Sequence, residues 1–281
     1  MNVFSQYESL IDKAIALAFE EDVQNGDITT NAIIPVSNEE TALLTMKADG
    51  VISGLDVAER VFNYHEKVEW KPFFRDGDRV KKGDVIAQVT GSYSNLLQSE
   101  RTALNFLQRM GGIATATSKF VEAARPYGTT ILDTRKTAPC LRVFDKIAVR
   151  HGGGMNHRMG LYDMVMLKDN HIKAAGGITP AMEAVKRVTP LSIKIEVETT
   201  TLDEVKEAVE NGADIIMLDN MSNDTMAAAI KLINKRAKTE ASGNMTLDRV
   251  AEVAALGVDY ISVGSLTHHV SVLDISMNFK N

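Results

Sequence analysis

Residues 193–220 read IKIEVETTTLDEVKEAVENGADIIMLDN, and residues 238–265 read KTEASGNMTLDRVAEVAALGVDYISVGS. A shift of 45 places Thr201-Leu202-Asp203-Glu204-Val205 on Thr246-Leu247-Asp248-Arg249-Val250, and Gly212-Ala213-Asp214 on Gly257-Val258-Asp259. Each copy reads as strand, loop, helix, strand. The threonine before Leu-Asp is placed to cap a helix and the glycine to end it. The next apolar run (215–218 and 260–263) reads as a buried parallel strand. Two such units in series mean a parallel sheet, open or closed, whose strands are joined by helices.

Strands of the same kind at 129–132, 164–167 and 192–197 join those that precede Asp219, Ser242 and Gly264, giving six. In an α/β barrel the C-terminal strand ends carry the active face. Each run leads into polar groups: Arg135 and Lys136, Lys168, Glu198, Asp219, Ser242-Gly243-Asn244, and Gly264-Ser265. The first 112 residues have another pattern. Runs at 41–47 and 84–90, with turns at Asp49-Gly50, Asp76-Gly77 and Lys82-Gly83, predict short antiparallel strands. Helices are expected over 7–21, 54–64 and 95–110. The first should bury Leu10, Ala14, Leu17 and Ala18; the last has an apolar stripe (Leu96, Ala103, Leu107, Met110) and a polar one (Arg101, Asn105, Gln108). The change of pattern near Gly111-Gly112 suggests an α+β domain over 1–112 and an α/β domain over 113–281, with the end of the chain returning to the first.

Charge is distributed unevenly. From Asp133 to Lys173, eight Lys or Arg stand against four Asp, so this stretch is +4 while the chain as a whole is −6. The cations are clustered as Arg135 with Lys136, His157 with Arg158, and Lys168 with His171. Arg suits carboxylates and phosphates through its planar fork, and Lys serves as a mobile point charge. A small anion carrying both group types fits this mixture. The acidic balance argues against general nucleic-acid binding, which needs a broad basic surface. One cysteine, Cys140, excludes an intrachain disulfide and suits a reducing, cytoplasmic compartment. No apolar stretch approaches a membrane span, and the first residues lack a signal-peptide pattern.

Several motifs have two readings. Gly152-Gly153-Gly154 fits either backbone approach to an anion or a simple turn, and it matches neither nucleotide-binding glycine fingerprint. Glu198 and Asp219 suit a magnesium ion or ribose hydroxyls, or else cap helices. Ser242-Gly243-Asn244 and Gly264-Ser265 resemble phosphate loops of late barrel strands. His151, His157 and His171 lack compact zinc spacing. His268 and His269 just past the last strand suit a supporting or a surface role. Residues 77–86 look like half of a biotinyl or lipoyl carrier, without its placement of the modified lysine.

Taken together, GDITT (26–30), ERTALNFLQRMGGIAT (100–115), DTRKTAP (133–139), GGGMNHRMGLYD (152–163), KDNHI (168–172), IEVE (195–198), LDNM (218–221), EASGN (240–244) and ISVGSLTH (261–268) resemble the quinolinate phosphoribosyltransferase family. The match runs over nearly the whole chain. The resemblance implies an N-terminal α+β open sandwich beside an incomplete, six-stranded, TIM-like α/β barrel. It implies transfer of phosphoribose from phosphoribosyl pyrophosphate to quinolinate with decarboxylation, in NAD synthesis. Arg135, His157 and Arg158 would bind the two carboxylates, and Lys136 and Lys168 pyrophosphate or carboxylate oxygens. Glu198 and Asp219 would hold ribose hydroxyls and Mg2+, and Ser242, Gly243, Asn244 and Gly264 the 5′-phosphate. Thr134, Val263 and Ser265 on the same loops complete the substrate-binding set, with Lys136, Lys168, Glu198 and Asp219 as the catalytic residues. Family members form homodimers, so Arg101 would complete the neighbouring subunit's site. Cys140 stands where the family usually has glycine and His269 where it usually has serine. The alternatives are a same-fold relative, such as the molybdenum-uptake protein, acting on another acidic ring, and a non-catalytic anion-binding or carrier module.

Overall fold

A computed structural model describes residues 5–34 and 38–280. In chain order the strands are β1 (Glu39–Met46), β2 (Gly50–Val51), β3 (Glu69–Pro72), β4 (Arg79–Val80), β5 (Val85–Ser92), β6 (Thr130–Leu132), β7 (Val165–Leu167), β8 (Ile195–Thr199), β9 (Ile215–Asp219), β10 (Lys238–Ser242), β11 (Tyr260–Ser262) and β12 (Ile275–Phe279). All six strands expected in the second half form. They pair in parallel in the order β6-β11-β10-β9-β8-β7, an incomplete α/β barrel. At the outer side of β6 the chain supplies a substitute partner: Met155 N donates to Ile131 O at 2.8 Å, and Asp133 N to Met155 O at 3.2 Å.

Within this unit (Lys119–Lys136 and Gly154–Ser265), the helices of the two repeat copies correspond residue by residue. Helices Leu202–Glu210 and Leu247–Ala255 begin at Thr201 and Thr246, whose hydroxyls accept from Glu204 N and Arg249 N. Each helix is followed by its glycine in the left-handed region, Gly212 at φ +68° and Gly257 at φ +86°, where a side chain would be strained. The strands of both copies bury their runs, Ile216 and Leu218 fully and Ile261 fully. The register between neighbours, Ile216 on Val197 and on Thr239, carries each strand's polar end to the same edge of the sheet.

The other unit comprises Met1–Ser118, Thr137–Gly153 and Leu266–Asn281. Its sheet is antiparallel in the order β12-β1-β5-β3, and β12 lies on β1 with Ala42 opposite Phe279. Alternation decides its faces: Ala42, Leu44 and Met46 are buried on one side of β1. The 95–110 helix is one part of a longer element, Tyr93–Ala124, that buries Leu96, Ala103, Leu107 and Met110 as expected. The helix Leu55–Phe62 also forms.

The first helix, Glu8–Asp22, corrects the expected face. Ile11, Ile15 and Phe19 are buried, while Leu10 and Leu17 are exposed. Phe19 decides the rotation, because its ring stacks on Tyr64 at 4.5 Å and draws the i, i+4, i+8 stripe inward. The Gly152–Gly154 motif resolves toward packing: a Cβ on Gly152 would collide with Ala114 O and Thr117 of the long helix, and Gly153 makes the turn at φ +88°. Among the described residues no helix is long and apolar enough to cross a membrane.

Candidate active site at the parallel strand ends

The polar groups predicted at the strand ends lie along one edge of the six-stranded sheet. After β6, Asp133 is fully buried and organises a second segment of the chain: its carboxylate accepts from Asn156 Nδ2 at 2.6 Å and from His157 N at 2.9 Å. That anchor fixes the 155–158 segment beside Thr134, Arg135 and Lys136. Thr134 Oγ1 in turn accepts from Lys136 N at 3.0 Å. Arg158 is almost buried, and its Nη1 donates to Met164 O at 3.1 Å. Burial and the charge of nearby Arg135 push its pKa below the ordinary guanidinium value. Like charges near enough to repel become favourable neighbours when an anion sits between them.

After β7, Lys168 Nζ meets Glu198 Oε2 from the end of β8 at 2.8 Å. Lys168 is half exposed, whereas Glu198 is mostly covered, so the lysine is the more mobile partner. Asp219 ends β9 and accepts from Asn220 Nδ2 at 2.7 Å. Asn220 (φ +54°), Gly243 (φ +94°) and Asn244 (φ +47°) turn their loops through the left-handed region, and Asn220 N donates to Ser242 O at 3.0 Å. A Cβ on Gly243 would strike the side chain and backbone of Asn220, so only glycine fits. Past β11, Val263 is core and donates its amide to Leu132 O, with Gly264 and Ser265 half-buried beyond it. The unit thus contains all the site residues expected from the sequence between Thr134 and Ser265, on its strand ends and the segments that follow them. Arg101 belongs to the other unit, exposed on the polar face of Tyr93–Ala124.

His157 is placed differently from a simple surface cation. Its side chain is 7 % exposed, and Nε2 lies 3.0 Å from Glu196 Oε2 and 3.4 Å from Glu240 Oε2. Burial opposes its charge, but the two carboxylates outweigh it and lift its pKa to about 10. Glu196 is pushed up to about 7, first by burial and then by Glu240. The other histidines have separate partners, His151 Nδ1 with Ser53 Oγ and His171 Nδ1 with Lys168 N.

Asp133, Glu196, Glu240 and Arg249 were not singled out by the sequence pattern. Arg249 donates to Gly243 O at 3.2 Å and to Met221 O at 2.9 Å, tying the loops after β9 and β10 together. The repeat holds a signal for it. Arg249 occupies the position of Glu204, which reaches back to Thr200 and Thr201 in the first copy. Glu196 carries a signal too, as a charge between Ile195 and Val197, whereas Glu240 stands in the largely polar run 238–242 and carries none.

A family model described as quinolinate phosphoribosyl transferase, C-terminal domain, matches residues 113–278, and the corresponding N-terminal domain model matches 27–111. A Nicotiana glauca protein named quinolinate phosphoribosyltransferase [decarboxylating] 2, mitochondrial, is 46% identical over 289 residues, covering 95% of this chain and 81% of its own. The crystal structure of NadC from Streptococcus pyogenes is 42% identical with a TM-score of 0.92, covering 96% of this chain and 97% of its own. The nicotinate-nucleotide pyrophosphorylase of Francisella tularensis is 36% identical, again at 0.92, with 97% and 96% covered. With both domain models matched in order over a fold that superposes throughout, the chain belongs to the quinolinate phosphoribosyltransferase family.

Proposed function

We propose that this chain carries out its family's reaction, joining quinolinate and phosphoribosyl pyrophosphate to give nicotinate mononucleotide, pyrophosphate and carbon dioxide. The observation that carries the reading is the gathering of cations after β6 and β7, where Arg158 feels the charge of Arg135 next to Lys136, with the Lys168–Glu198 pair and Asp219 on the same strand-end edge. Arg135 and Arg158 take the ring carboxylates, with His157 behind them. Lys136 and Lys168 meet oxygens of the departing pyrophosphate. Glu198 and Asp219 face the ribose, where displacement at C1 builds positive charge that carboxylates stabilise. Thr134 shapes the turn before Lys136. Ser242, Gly243, Asn244, Gly264 and Ser265 offer backbone and hydroxyl donors to the 5′-phosphate, and Val263, whose amide is held by Leu132 O, anchors the start of the last of these loops.

The pyridine nitrogen is itself the nucleophile, so the site requires no activating base. Once ribosylated, the ring accepts the electron pair of the breaking carbon–carbon bond as carbon dioxide leaves, and the ring carbon then takes a proton from water. The residues hold and orient; rate comes from positioning and electrostatics.

Glu198 and Asp219 also fit Mg2+. Both are hard oxygen donors on neighbouring strands, but each already has an oxygen engaged, by Lys168 and by Asn220. That donor set suits an ion bound largely through substrate oxygens and water, where it would offset charge on the pyrophosphate. The homodimer, with Arg101 reaching the partner's site, and the cytoplasmic placement belong to this same reading. Pyrophosphate release that requires both quinolinate and phosphoribosyl pyrophosphate, with nicotinate unable to replace quinolinate, is the expected result. Turnover of nicotinate instead would overturn it.

A further inference from the structure

Beneath the strand-end edge lie two carboxylates that the proposed reaction does not use. Glu196 stands two residues before Glu198 on β8, and Glu240 two before Ser242 on β10, so each points to the same side of the sheet one layer below the mouth. Both are 0 % exposed. Each has an oxygen close to His157 Nε2, at 3.0 Å for Glu196 and 3.4 Å for Glu240. Burying two carboxylates side by side is unfavourable, and apolar residues would fill this layer with a smaller penalty. Their presence points to a role other than stability.

The groups around them indicate what that role is. His157 is held from its backbone by Asp133, and the next residue, Arg158, interacts with Glu196 on one side and Arg135 on the other. The carboxylates favour a charged imidazole, whereas the Arg158 amide, 2.7 Å from Nδ1, favours a bare nitrogen there. Both forms carry a proton on Nε2, directed to the carboxylates.

We propose that Glu196 and Glu240 are positioning residues: a buried pair that clamps the His157 ring through its Nε2 proton and so sets where adjacent Arg158 presents its guanidinium to a dicarboxylate ring. This rests on the reading that Arg158 meets a carboxylate of quinolinate. Glu196 also serves as an internal counter-charge for Arg158 before the anion arrives. The three groups have the donor types of a divalent-ion centre as well. Two features oppose that use. A metal on Nε2 would require the proton on Nδ1, where the Arg158 amide already points, and two arginines would repel the ion.

The test uses the full chain with Glu196→Gln, Glu240→Gln and the double variant, which keep shape and remove charge. In the double variant the KM for quinolinate should rise about tenfold or more, while the KM for phosphoribosyl pyrophosphate stays within about twofold. An unchanged quinolinate KM, or a fall in kcat alone, would overturn the proposal. A readout independent of turnover is the imidazole proton spectrum: a slowly exchanging downfield signal should be present, vanish in His157→Asn and move upfield in Glu240→Gln. Absence of that signal sinks the clamp even in an active enzyme. Conversely, a wild-type chain that shows the signal but does not use quinolinate leaves the clamp standing and removes the functional reading. A divalent metal found one per chain by elemental analysis and lost in Glu240→Gln would replace the clamp with a metal centre.

Discussion

Cys140 occupies a backbone conformation that its side chain resists. It sits at φ +64°, exposed, at a position where the resemblance expects glycine. A Cβ there costs about 1 kcal/mol relative to glycine, so Cys140→Gly should stabilise the chain by that amount and raise Tm by a few degrees. Thermal and urea unfolding measure it. Gly243 is the opposite case, because a Cβ would meet Asn220 in a left-handed turn. Gly243→Ala should weaken phosphoribosyl pyrophosphate binding sharply while the far-UV spectrum stays unchanged. His157 gives a pH signature. Its folded pKa of about 10 lies above the ordinary 6.5, so its contribution is complete below about 6.5 and lost as pH rises through 10. Urea stability should therefore fall across that window, and His157→Gln should flatten the slope.

At the scale of elements, the repeat explains why two helices begin and end alike although the loops before them differ. Thr201 and Thr246 start their helices alike, and Thr246→Ala should cost about 1 kcal/mol as a lost cap. The two copies then diverge at one residue. Glu204 serves its own helix, whereas Arg249 binds carbonyls of both neighbouring loops. Arg249→Met should raise the KM for phosphoribosyl pyrophosphate about tenfold through loss of two charge-assisted bonds, with quinolinate affected less. Steady-state kinetics in both substrates separates the effects. The second-half strands and the capped helices were legible in sequence, since capping and burial are local and periodic, but strand ends were less so: the strand expected over 192–197 runs Ile195–Thr199. The rotation of the first helix was not legible. Leu10 and Leu17 belong to an apolar stripe of their own, and it is tertiary packing, with Phe19 against the Tyr64 and His65 rings, that turns Ile11, Ile15 and Phe19 inward instead.

For the whole molecule, the decisive experiment concerns Arg101. It stands on a polar helix face in one unit, while the cations it is proposed to join stand in the other. Arg101→Ala should abolish turnover without loss of Tm, and so should Arg135→Ala. Mixing the two inactive proteins under conditions of subunit exchange should restore about a quarter of wild-type activity, since half of the dimers are mixed and each of those has one complete site. No recovery despite demonstrated exchange would refute a shared site.

The residues at the strand ends were readable in order because a parallel β/α array delivers its chemistry at one edge, whatever the side chains. Repetition and charge clustering were sufficient to mark Arg135, Lys136, Lys168, Glu198 and Asp219. The sequence by itself determined the six-strand array, the capped repeat and the cationic stretch, all of which arise from local periodicity and composition. Only the tertiary structure decided that Asp133 anchors the 155–158 segment, that Arg249 joins two loops, and that His157 faces Glu196 and Glu240. Those contacts join residues 24 to 83 positions apart, and which charges meet at such separations is fixed by packing of the sheet rather than by any local pattern.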